Sequence, residues 1–174
     1  MFEELALHIL DIAMNSLAAN ASRVEVAVVE SLRHDFLIVR VRDNGRGMDA
    51  GMLAQVLDRG TTSKRSRKKN IGLGLAMLRQ TSEMCEGRFH VRSAPGKGTS
   101  VTASMRLNHV DRPPLGDLQT TLLTLCAAAP AVDVRLKYIT DTDSLTFSSQ
   151  EGKTHEPRRT QETQGQGTAA GRVA

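Results

Sequence analysis

Aromatic side chains are scarce in this chain of 174 residues, which holds four Phe, one Tyr and no Trp. Its core must therefore be built from Leu, Val, Ile, Met and Ala, and a hydrophobic content of 40% is enough for one core of ordinary size. Cysteine is nearly absent. Cys85 and Cys126 are too few for a disulfide framework and wrongly spaced for a zinc knuckle. No apolar run approaches the roughly 20 residues that a membrane span needs. The N-terminus, with Glu3 and Glu4, lacks the basic region, apolar stretch and small-residue cleavage site of a secretory leader. Together these absences lead us to expect a soluble protein of a reducing cytoplasm, without a membrane partner.

Three short motifs stand out against that background: Asp11-Ile12-Ala13-Met14-Asn15, Asp43-Asn44-Gly45-Arg46-Gly47-Met48 and Gly72-Leu73-Gly74-Leu75. The first puts a carboxylate and a carboxamide four residues apart, on one face of a helix, where both can point into one pocket. Asn15 would there ligate magnesium while Asp11 faces a reacting water. The second places one acid before a loop whose glycines let backbone approach a ligand, and the third opens an apolar helix on a glycine turn that attracts phosphate. Any one of these is a common loop pattern. In this order, on a helix, a strand end and a helix start, they read as an ATP site.

The pattern of apolar residues supplies the elements. Leu5, Ile9, Ile12, Ala13 and Leu17 form a helical stripe within Phe2 to Ala19. Arg23 to Glu30 and Asp35 to Arg42 are rich in Val and Ile and read as two antiparallel strands, the second delivering Asp43 at its end. Met52 to Leu57 suits a short helix, and Arg59 to Asn70 a polar, basic lid that is mobile without nucleotide. Leu73 to Glu86 suits a second long helix that Gly87 would cap. Arg88 to Ser93 and Ser100 to Leu107 read as further strands, joined by the turn at residues 94–98. Four strands with helices on one face make a two-layer α+β sandwich, its sheet mainly antiparallel. Past Asn108, Pro113-Pro114 marks a linker or docking loop. Leu115 to Ala128 then reads as a helix, and Val132 to Thr140 with Leu145 to Ser149 as a hairpin. The expected organisation is an ATP-binding domain over 1–108, a small α-β-β appendage over 109–150 and a disordered tail over 151–174, where almost no large apolar residue remains.

The motifs resemble those of the GHKL ATPases, which include gyrase B, Hsp90, the sensor histidine kinases and MutL. Asp11 to Asn15 is similar to the family's N box, Asp43 to Met48 to its G1 box, Asn70 to Leu75 to its G2 box and Gly96-Lys97-Gly98-Thr99 to its G3 segment. The resemblance covers roughly residues 2 to 107 and implies the Bergerat fold. It further implies that Asn15 holds Mg2+, that Asp43 accepts a hydrogen bond from the adenine amino group, and that the backbone of Gly72, Leu73, Gly74 and Leu75 binds the phosphates of ATP. Gly45, Gly47, Met48 and Thr99 complete the nucleotide contacts. Thr61-Thr62-Ser63-Lys64 resembles the hydroxyl-rich lids of MutL and the histidine kinases, which makes Thr61 and Thr62 binding residues and Lys64 a γ-phosphate contact. Two positions depart from the family: Asp11 stands where hydrolytic members carry a glutamate base, one methylene longer, and Asn70 where many carry glycine.

Duller readings apply to the remaining features. The net charge is +4, with five basic residues packed into Lys64 to Lys69. A run of that kind is by default a solvated loop, and its place between the second and third motifs favours phosphate over nucleic acid as its partner. His8 reads as a packing residue, and His155-Glu156-Pro157-Arg158 matches a phosphoacceptor box in letters only. The first motif begins so near Met1 that a dimerising phosphoacceptor helix pair would not fit ahead of it, which suggests a stand-alone module. Three functions follow: a kinase-like subunit that phosphorylates a separate protein partner, a self-contained ATPase driven by lid closure, and a nucleotide-sensing module without turnover. The immediate Gly-Leu-Gly-Leu favours the kinase-like branch, Met48 and Thr62-Ser63-Lys64 lean toward MutL, and a second copy of the chain is a candidate partner in either case.

Overall fold

A computed structural model describes residues 4–59 and 73–150. The expected lid and tail, and with them Thr61, Thr62, Lys64 and Gly72, lie outside the described residues. The elements run α1 (Leu5–Ala18), β1 (Arg23–Ser31), β2 (Phe36–Asp43), α2 (Ala50–Arg59), α3 (Leu73–Met84), β3 (Arg88–Ala94), β4 (Gly98–Met105), α4 (Leu118–Ala128), β5 (Asp133–Ile139) and β6 (Ser144–Ser148). The strands form one sheet in the order β3-β4-β2-β1-β5-β6. Every pairing is antiparallel except that of β1 with β5. This is a mixed α+β sandwich of the Bergerat type with extra C-terminal strands.

Alternation along the strands decides which face is buried. Val24, Val26 and Val28 of β1, Leu37, Val39 and Val41 of β2, and Val101, Ala103 and Met105 of β4 are all buried. They meet Leu5, Ile9, Ile12 and Ala13 of α1 and Leu75 and Leu78 of α3 in one core. His8 of α1 is also buried. Asp43 falls on the same parity as Leu37, Val39 and Val41, so the end of β2 turns its carboxylate toward the helix layer. No helix of the described residues is long and apolar enough to cross a membrane.

Several helix ends differ from the sequence reading, among them the start of α4, which lies at Leu118 rather than Leu115 because Asp117 caps it. The helix expected over Met52 to Leu57 extends to Ala50–Arg59, because Asp49 accepts from the Met52 amide at 2.8 Å and starts it earlier. At the end of α3 the left-handed residue is Glu86, with φ 57°, while Gly87 follows it and donates to the Ser82 carbonyl at 2.8 Å. Glu86 in turn donates to the Glu83 carbonyl at 3.3 Å, and the two bonds close the helix as a Schellman motif.

The segment after β4 joins the molecule in two ways. Its linker crosses the start of α1, where the Leu5 and Ala6 amides donate to the carbonyls of Pro114 and Leu115 at 3.0 and 2.8 Å. Glu4 gives this helix no side-chain cap, so backbone of the linker satisfies amides that would otherwise be orphaned. The chain then enters α4, capped by Asp117 through the Thr120 amide at 3.0 Å, and α4 packs on α1 with Leu122 and Leu125 buried. From α4 it enters β5, which lies parallel to β1 in register from Arg23↔Asp133 to Val29↔Ile139. A parallel neighbour needs such a crossover, and α4 supplies it. At the far end Ser31 donates to Asp141 at 2.6 Å and Tyr138 to Glu30 at 3.0 Å, tying the two hairpins together. Burial, aided by the Glu30 charge, pushes the Tyr138 hydroxyl up to about 12.

Leu125 is fully buried in the shared core. Leu125→Ala should lower stability by about 2–5 kcal/mol and move a single unfolding transition to lower denaturant. A separate early transition, with the rest of the molecule unchanged in circular dichroism, would show that α4 and its strands unfold as an independent unit.

Candidate functional site

The site is built where α1, the end of β2, the β3–β4 turn and the start of α3 converge. Its centre is the Asp43 carboxylate, which is 8% exposed and has no ion-pair partner among the described residues. One oxygen, Oδ1, accepts from the Gly45 amide at 2.8 Å and the Thr99 amide at 3.2 Å. The other, Oδ2, accepts from the Ser16 hydroxyl at 2.8 Å. A carboxylate has about four acceptor positions, and these three bonds leave one on Oδ2.

Around Asp43 the loop of the second motif is fixed by backbone. The Arg46 amide donates to the Ala19 carbonyl at the end of α1, and the Gly96 amide donates back to the Arg46 carbonyl at 2.7 Å. Gly47 sits at φ 66°, where a side chain would strike the Ala94 carbonyl, so this position demands glycine. The Met48 amide donates to Ser93 Oγ at 2.8 Å, and Ser93 in turn donates to the Gly98 carbonyl at 3.0 Å. With that proton committed, the Thr99 hydroxyl donates to Ser93 at 2.9 Å. Asn44 faces away, accepting from the Ser22 and Arg23 amides at the start of β1.

On α1 the periodicity divides the first motif between two faces. Ile12, Ala13 and Ser16 are buried, whereas Asp11 is exposed and Asn15 half-buried. Neither Asp11 nor Asn15 makes a side-chain hydrogen bond or ion pair among the described residues. Asp11 lies against the first turn of α3. A Cβ on Gly74 would come within 2.7 Å of Asp11 Cβ and 3.2 Å of its Oδ2. Glycine is therefore what lets α3 approach α1 this closely. The carboxylate thereby sits at the amide-rich end of a twelve-residue helix, where negative charge is favoured. Leu75, one residue on, turns its side chain into the core at 8% exposure.

The structure thus brings Asp11, Asn15, Asp43, Gly45, Gly47, Met48, Gly74 and Thr99 into one region. Leu73 opens α3. Two residues of this network were not read from the sequence as site residues. Ser16 follows Asn15 on the buried stripe of α1, and a hydroxyl on an apolar helix face was the available signal, since it must find an acceptor. Ser93 occupies the inward parity of β3 and carried no comparable mark.

Comparison with known proteins follows the same elements. A sensor histidine kinase of Bacillus subtilis (strain 168), YvrG, is 31% identical over 91 residues, which cover 51% of this chain and 16% of that kinase. The sensor protein kinase WalK of Staphylococcus haemolyticus is 28% identical over 92 residues, covering 51% of this chain and 15% of the kinase. The chain therefore spans only a small fraction of the length of these relatives. Among solved structures, the MutL ATPase domain of Aquifex aeolicus, complexed with ADP, aligns with 90% of this chain and 64% of its own, at a TM-score of 0.48 and 16% identity. The model of the histidine kinase-, DNA gyrase B- and HSP90-like ATPases matches residues 1–109, and the chain belongs to that family.

Proposed function

We propose that this chain binds ATP with magnesium and acts as a kinase-like subunit, passing the γ-phosphoryl group to a separate protein partner in signalling. The observation that carries the reading is the Asp43 carboxylate, held by three donors from three segments with one acceptor position left for the adenine amino group. The family match supports the nucleotide, and the sensor kinases among the relatives support phosphoryl transfer to protein. In this reading the first turn of α3 receives phosphate and Asn15 offers its carboxamide oxygen to Mg2+, which prefers oxygen ligands. Among the described residues no three His, Cys, Asp or Glu side chains are grouped so as to hold a metal ion. Magnesium here would accordingly draw most of its ligands from phosphate and water, as it usually does in nucleotide sites.

A second reading, a self-contained ATPase, rests on the exposed Asp11 carboxylate at the start of α3, where it could position or deprotonate a water. Incubation with γ-labelled ATP and magnesium, separating free phosphate from labelled protein, distinguishes the two. The kinase reading expects slow phosphate release by the chain alone and label on an added partner protein. Acid-stable label would indicate Ser or Thr, and acid-labile label His or Asp.

Three outcomes follow from the geometry. Asp43→Ala should weaken binding of a non-hydrolysable ATP analogue by roughly tenfold or more in calorimetry, and Ser16→Ala by less, because it leaves two of the three donors in place. Unchanged affinity in Asp43→Ala would remove the adenine assignment. Asn15→Ala should abolish the enhancement of ATP binding by magnesium, and full enhancement in the mutant would place the metal elsewhere. Asp11→Asn should lower phosphate release by roughly a hundredfold with affinity nearly kept if Asp11 is a general base. Brisk hydrolysis that this change leaves untouched would exclude Asp11 from catalysis.

A further inference from the structure

The face of the sheet that no described helix covers carries a marked excess of cations in ordered rows. Pairing places Arg42, Glu25 and Arg135 side by side across β2, β1 and β5, and Arg40, Ala27 and Lys137 in the next row. On the β4 side Arg42 faces Ser100, which faces Arg92 of β3. Cations thus recur on every second strand, separated by Ser, Thr, Ala or Glu, so that none stands directly opposite another. Direct opposition would be destabilising, and the small residues leave troughs between the long ones.

Two carboxylates of this face, Glu25 and Asp133, offset the cations in part, and Glu25 forms no ion pair among the described residues. Asp133 is engaged by Arg23 at 3.1 Å and Arg135 at 2.8 Å. Burial opposes its charge, but the bonds from Arg135, Ser148 and Arg23 outweigh that and hold the carboxyl below its ordinary value. Arg42, Arg92, Lys97 and Lys137 have no ion pair among the described residues, and Arg40 has only the Thr102 hydroxyl at 3.3 Å. These cations line two adjoining grooves of about 530 and 620 Å³ that share Arg40 and Arg42. Beyond the charged rows, Ile38, Val29 and Ile139 stand in register and half-buried, giving the face an aliphatic end.

We propose that this face seats an extended acidic segment of a partner protein, one that also carries aliphatic residues. The pitch fits. Alternate residues of a strand are about 6.6–6.8 Å apart, so Arg40 with Arg42, and Arg135 with Lys137, match acids at alternate positions of an extended peptide. Other occupants fit less well. Residues 151–174 set Lys153, Arg158, Arg159 and Arg172 against Glu151, Glu156 and Glu162, and a second copy would bring the same cations, so neither supplies the counter-charge. Single-stranded nucleic acid is gripped by aromatic stacking, and within the charged rows themselves His90 is the one ring, Phe36 lying beyond them on the parity of Ile38. A duplex is much wider than a trough spanning two strands, about 10 Å. Anionic lipid would need a protruding apolar anchor beside the cations, which a row lying flat in the sheet does not offer.

The test is fluorescence anisotropy of the full chain with four probes: a labelled peptide of alternating Glu and Leu, a peptide of alternating Glu and Gly, a single-stranded oligonucleotide, and vesicles of phosphatidylserine and phosphatidylcholine. The Glu-Leu peptide should bind saturably, more tightly than the other three, and more weakly as salt is raised. Arg40→Glu with Lys137→Glu should weaken it by more than about tenfold, and Arg40→Ser with Lys137→Ser by less. Binding of the ATP analogue should be unchanged in both variants, because these side chains lie across the sheet from Asp11 and Asn15. It also reports that the variants are folded, and the peptide result does not depend on the nucleotide reading. Failure of the Glu-Leu peptide to bind, tighter binding of the oligonucleotide or vesicles, or peptide affinity unmoved by charge reversal would each overturn the proposal.

Discussion

One buried anion organises this molecule. A carboxylate removed from water destabilises a fold unless hydrogen bonds replace its hydration, and Asp43 obtains them from α1, from its own loop and from the start of β4. Each donor lies on a different segment, so the helix, the glycine loop and the β3–β4 turn must all be in place together for the charge to be tolerated. The loop cannot drift from the turn either, because the bonds of Arg46, Met48 and Gly96 fasten it on both sides. What would be a marginal cluster of polar groups in isolation becomes a pre-formed cradle with one acceptor position left over among the described residues.

The second constraint is the approach of α3 to α1. The absence of a side chain at Gly74 sets the two helices close enough for Asp11 to reach the first turn of α3. Both ends of the proposed nucleotide, the base beside Asp43 and the phosphates beside α3, are then referred to the same helix. Ser16 and Asp11 lie five residues apart on α1 but on different faces, one buried and one exposed. A small rotation of α1 would consequently disturb the two contacts together.

Much of this was legible in the sequence because it rests on local rules. Periods of two and 3.6 residues place the four strands and two long helices of the family region, and the glycine motifs locate the turns between them. Less legible were features in which distant backbone does the work. The carbonyls of Pro114 and Leu115 that cap α1 belong to no motif, and the appendage, readable as a helix and a hairpin, gives no sign of which sheet edge it will join. Its parallel attachment to β1 follows from tertiary packing of α4 on α1. Ser16 illustrates the same point on a smaller scale, since a helical serine discloses its partner only when Asp43 is folded against it. The charge rows of the open face were hidden for a related reason: Arg40, Arg42, Arg135 and Lys137 are far apart in the chain, and only pairing brings them side by side.

The cap on α1 also bears on where the folding unit ends. The family match ends at residue 109, yet the amides that begin the first helix are satisfied by residues 114 and 115, and the strand beside β1 lies further on. A shorter chain ending at the limit of the match would open α1 on bare amides and turn β1, now interior, into an unprotected edge with a row of unpaired groups. Such an edge invites pairing with other chains. The extension therefore serves as the domain's own solubility guard, and its loss would show first as self-association.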